Sequence, residues 1–97
     1  MNPSERFGEN LLRIRQARKL SQENLAEGAG IHRTQISLLE GGRRQPLLET
    51  LVRLAGALDV PVEALLEGIL WEADAAGPGT FRVSDPPELP RLSSNRP

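Results

Sequence analysis

The chain predicts an all-α bundle of five helices that ends in a short β-hairpin and a polar tail. Three observations carry that expectation. Residues 21–42, SQENLAEGAGIHRTQISLLEGG, read as a helix, a tight turn and a second helix. Apolar residues recur at helical spacing on both sides of that stretch. From residue 69 the period drops to two, and proline and glycine become frequent soon after.

Helix 1 is expected from Pro3 or Ser4 to about Arg18. Asn2, Pro3 and Glu5 suit a cap, a first helical position and a reciprocal capping carboxylate. Phe7, Leu11 and Ile14 form its buried stripe. Ser21 caps helix 2, because its hydroxyl accepts an amide that the helix start leaves orphaned. Leu25 and Ala26 give that helix its buried side, and Ala26 must be small where the next helix crosses. Gly30 takes the turn, since glycine adopts a positive φ without steric penalty. Ile31 plugs the turn, and Ile36 and Leu39 bury one side of helix 3. Gly41-Gly42 stops it by supplying a left-handed residue. Together, at these spacings, the features form a helix-turn-helix signature.

Helix 4 spans about Leu47 to Leu58 and buries Leu51, Leu54, Ala55 and Leu58. Asp59 and Val60 form a short link. Pro61 fits the first turn of helix 5, which is expected to bury Leu65 and Leu66 and to end near Gly68.

Beyond it, Ile69, Trp71 and Ala73 alternate with Leu70 and Glu72. After AAGPG, Phe81 and Val83 alternate with Thr80 and Arg82. The pattern predicts two short strands around a Gly-Pro turn. A lone hairpin is marginal in water and needs a surface to rest on. Trp71, Phe81 and Val83 are therefore assigned to a contact with a second subunit; the alternative is a hairpin that caps its own core. Residues 85–97, DPPELPRLSSNRP, are proline-rich and polar, so disorder is expected, with a polyproline-type ligand as the alternative. The expected organisation is a helical domain over 1–68, a hairpin extension over 69–84 and a disordered tail over 85–97.

Composition bounds the chemistry. Ninety-seven residues make one small domain. The absence of cysteine excludes disulfides, thiolate zinc sites and thiol chemistry. With no tyrosine and a single histidine, His32, no triad or metal centre is expected, and no cofactor. The apolar runs are too short for a membrane span, and MNPSERFGEN lacks the regions of a signal peptide, so a cytoplasmic location is expected. The net charge of −1 divides unevenly: residues 1–44 hold eight basic and five acidic side chains (+3), and residues 45–97 hold four and eight (−4). The helix-turn-helix signature lies in the basic half, and local field matters more than overall charge for binding phosphates.

The stretches FGENLLRIRQARKLSQENLAEGAGI, QISLLEGGRRQP and LETLVRLAGALDVPVEALL resemble the Xre or phage-repressor family of helix-turn-helix proteins. The resemblance covers roughly Arg6 to Leu70. It implies a lambda-repressor-like bundle whose third helix enters the major groove of double-stranded DNA. Carried over by position, it puts Arg33, Thr34 and Leu38 against base edges, with Gln35 as a secondary base contact. Leu38 departs from the family, which more often has a long polar side chain there. Gln22, His32, Ser37, Arg43 and Arg44 fall at positions that touch the DNA backbone, with Arg18 and Lys19 in support. Arg15 and Glu40 are expected to pair across helices 1 and 3 as a structural ion pair. The implied function is a homodimeric repressor on a palindromic operator. The alternative is an adaptor or antitoxin whose C-terminal extension grips a protein partner.

Overall fold

A computed structural model describes residues 1–84; the expected disorder of residues 85–97 lies outside the described residues. In chain order the elements are α1 (Pro3–Ala17), α2 (Gln22–Ala29), α3 (Arg33–Glu40), α4 (Leu48–Leu58), α5 (Val62–Leu65), β1 (Ile69–Asp74) and β2 (Gly77–Val83).

The helix starts follow local hydrogen-bond chemistry. Asn2 Oδ1 accepts the Glu5 amide at 2.9 Å, and Glu5 Oε1 accepts the Asn2 amide at 2.8 Å, which completes the capping box. Ser21 Oγ accepts the Asn24 amide at 2.9 Å. Gly30 ends α2 at φ 70°, and the chain turns there into α3. The Ile31 amide bonds back to the Ala26 carbonyl at 3.0 Å, so the turn is closed from within.

Phe7, Leu11, Ile14, Leu25, Ala26, Ile36, Leu39, Leu51, Leu54, Ala55, Leu58 and Leu65 pack into one core, each expected from its helical spacing except Phe7's close neighbours on α1. Two of those neighbours were not legible. Arg6 is buried and pairs with Glu9 at 3.0 Å. Asn10 is fully buried and donates from Nδ2 to the Leu65 carbonyl at 3.0 Å and to the Glu67 carbonyl at 2.8 Å. It thereby fastens the end of α5, whose last carbonyls have no helical partner, to the middle of α1.

Three expectations need correction. Helix α5 ends at Leu65, short of Gly68, and Pro61 stands at its N-cap rather than inside it. Leu66 then falls outside the helix and is exposed, not buried. The hairpin reverses at Ala75-Ala76, not at Gly-Pro: Asp74 Oδ1 accepts the Ala76 amide at 2.9 Å and makes the turn locally. Gly77 and Pro78 fall inside β2. The strands pair antiparallel with Ile69 opposite Val83 and Trp71 opposite Phe81, and the register shifts between Glu72 and Asp74.

Candidate nucleic-acid interface

Helix α3 has two sides of opposite chemistry. Ile36 and Leu39 are buried against the core. His32, Arg33, Thr34, Gln35 and Ser37 are exposed on the other side, and Leu38 is half-buried. Arg43 and Arg44 are exposed in the loop that follows, and Gln35 and Arg44 line one shallow groove of about 350 Å³ with Leu47 and Thr50. The structure thus brings together Arg33, Thr34, Gln35, Ser37, Arg43 and Arg44 on α3 and its loop. Leu38, partly covered, is the least available of the predicted base contacts.

His32 is the N-cap of α3. Its Nδ1 accepts the Thr34 amide at 3.1 Å. An accepting Nδ1 carries no proton, so in the neutral ring the proton sits on Nε2, a donor.

The expected ion pair is formed. Arg15 Nε and one terminal nitrogen reach the two Glu40 oxygens at 2.5 and 3.1 Å, with side-chain exposures of 13% and 6%. Arg15 also donates to the Leu20 carbonyl at 2.8 Å, which ties down the α1–α2 link. Gln22, at the first position of α2, donates from Nε2 to Glu40 Oε1 at 2.9 Å. The sequence placed Gln22 near the backbone-contact side but held no signal of its bond to Glu40.

Arg18 departs from expectation. Its guanidinium donates to the Asp59 carbonyl at 3.1 Å and is taken up by the α4–α5 link. Arg53, unremarked in the sequence, donates to the Gly30 carbonyl at 3.3 Å and braces the turn between α2 and α3. At the far end, Trp71 and Phe81 are both exposed and line the hairpin with Leu70. No described helix is long and apolar enough to cross a membrane.

A short helix, a glycine turn and a second helix with a polar, basic outward side define a transcription regulator of the helix-turn-helix class. Residues 11–65 match the Helix-turn-helix family, and the chain belongs to it. It is 40% identical over 62 residues to an uncharacterized HTH-type transcriptional regulator, YqaE, of Bacillus subtilis, covering 64% of this chain and 53% of that protein. It is 44% identical over 66 residues to control protein C.SmaI of Serratia marcescens, covering 68% of this chain and 79% of that one. Among solved structures it is similar to the restriction-modification controller protein C.AhdI of Aeromonas hydrophila, with a TM-score of 0.63, 37% identity, and coverage of 64% of this chain and 94% of that one. The chain thus spans about half the length of the Bacillus regulator but most of the length of the two control proteins.

Proposed function

We propose that this protein is a sequence-specific DNA-binding regulator of transcription, not an enzyme, and that it represses as a homodimer on a palindromic operator. The observation that carries the reading is the outward side of α3, where Arg33, Thr34 and Gln35 are exposed together at the helix start while Ile36 and Leu39 fix the helix from behind. That arrangement presents base-reading side chains to a major groove. Arg33 reads guanine through O6 and N7, Thr34 and Gln35 contact neighbouring bases, and Leu38 meets a thymine methyl. Gln22, His32, Ser37, Arg43 and Arg44 hold the phosphates and set the register. Repression follows from occupancy, because a bound dimer excludes polymerase.

Selection of bound duplexes from a random pool at two salt concentrations tests this. A palindrome with half-sites about one helical turn apart supports it. Binding that is weak, motif-free and erased by salt sinks it. The exposed Trp71 and Phe81 favour one second reading, an adaptor that grips a protein partner through the hairpin. Motif-free binding is the result that reading expects.

A further inference from the structure

Resting on the DNA-binding reading, we propose that Glu40 positions Gln22 as a donor to a DNA backbone phosphate, so that the α1–α3 ion pair acts on DNA affinity as well as on the fold. Glu40 is on α3, yet its carboxylate accepts from two other helices: Arg15 of α1 and Gln22 of α2. It is nearly buried, and Arg15 grips both its oxygens, so it is a fixed acceptor.

The chemistry of the amide gives the fixed acceptor its consequence. A carboxamide has a donor end and an acceptor end, and a free one rotates between them. A carboxylate only accepts, so Glu40 selects the orientation with nitrogen inward. One Nε2 hydrogen is taken at 2.9 Å, and the same nitrogen keeps a second. A phosphate also only accepts, so the orientation that Glu40 selects is the one a phosphate needs. The opposite orientation would set the amide oxygen against a phosphate oxygen. Gln22 is half-buried and follows the Ser21 cap directly, so its backbone is fixed as well. Glu40 and Arg15 are positioning residues in this scheme, and Gln22 makes the contact.

The test measures binding to a duplex of random sequence and to the selected operator for the wild-type chain, Gln22→Ala, Glu40→Gln and the double variant, with thermal unfolding of each. Gln22→Ala is expected to weaken both duplexes roughly tenfold, as the loss of a hydrogen bond to a charged group does. Its salt slope should stay that of the wild type, since a neutral amide releases no counterion. Glu40→Gln should weaken binding when Gln22 is present and have little effect when residue 22 is alanine, a coupling of roughly threefold or more. A purely structural Glu40 would give the same loss in both backgrounds, which overturns the proposal. Should Glu40→Gln not fold, the Gln22 side-chain amide protons of the wild-type chain decide by NMR. One should be protected in the free protein, and the other should shift on adding DNA; two unperturbed protons overturn it. A wild-type chain that binds no duplex at low salt removes the DNA reading itself, whereas wild-type binding unchanged in Gln22→Ala removes only this inference.

Discussion

Trp71 and Phe81 meet edge to face across the hairpin, with ring centroids 5.0 Å apart and planes at 74°, yet each ring is more than half exposed. Such a pair adds about 0.5–1.5 kcal/mol beyond its area only where the rings are packed. In a single chain most of that apolar surface faces water. Pairing with a second hairpin would bury it, which is the physical case for a subunit contact. Trp71→Lys places a charge there without touching the helical core. Sedimentation equilibrium should show a dimer for the wild type and a monomer for the variant, with helix content by circular dichroism unchanged. Two dimers of equal strength would place the subunit contact elsewhere.

Gly8 sits where α1 crosses the end of α3. A Cβ built there would lie 2.5 Å from the Leu39 carbonyl oxygen and 2.6 Å from that of Glu40. Both obstacles are backbone, so neither can swing aside. Gly8→Ala should cost about 3 kcal/mol, the upper part of the range for overpacked sites. The same movement would displace Glu40, so DNA binding should weaken with stability. Chemical denaturation with an unshifted midpoint would show that the two helices separate freely.

Arg15→Ala leaves Glu40 nearly buried with its principal partner gone. Removing one side of such a pair costs about 3–5 kcal/mol, most of it from the stranded charge. Replacing both members, Arg15→Met with Glu40→Leu, should recover much of the loss in thermal unfolding. If the double variant is no more stable than Arg15→Ala alone, the stranded carboxylate is not the cause.

The elements that repeat a local rule were legible in the chain. The Asn2–Glu5 capping box, the Ser21 cap and the Gly30 turn each depend on neighbours within a few residues, and each stands as read. So do the buried stripes, because helical periodicity is itself local. What escaped was long-range. Asn10 reaches across more than fifty positions to the carbonyls of Leu65 and Glu67, and nothing near Asn10 announces it. Gly8 looks like an interruption of α1 until the Leu39 and Glu40 carbonyls are seen against it. The hairpin turn was misplaced because Gly77-Pro78 is the louder signal, while the side chain of Asp74 makes the turn two residues earlier. On α3, the exposed side was legible, but the half-burial of Leu38 and the hold of Glu40 on Gln22 depend on how three helices meet.

Arg33 and Arg44 separate base reading from phosphate binding. Arg33 is the first residue of α3 and exposed, and Arg44 is exposed in the following loop. A guanidinium at a helix start in the major groove can take both acceptors of a guanine, worth about 1–3 kcal/mol of discrimination. One in a flanking loop meets phosphates, which look alike at every sequence. Arg33→Ala should therefore flatten preference at one base pair of each half-site and leave weak binding to random DNA nearly intact. Arg44→Ala should weaken all sequences alike and lower the salt slope by about one. Binding measured on the operator and its single-base variants at two salt concentrations reads both effects together. If Arg33→Ala lowers the salt slope and weakens every sequence equally, Arg33 is a phosphate contact. Base reading would then fall to Thr34 and Gln35, whose neutral side chains can discriminate without counterion release.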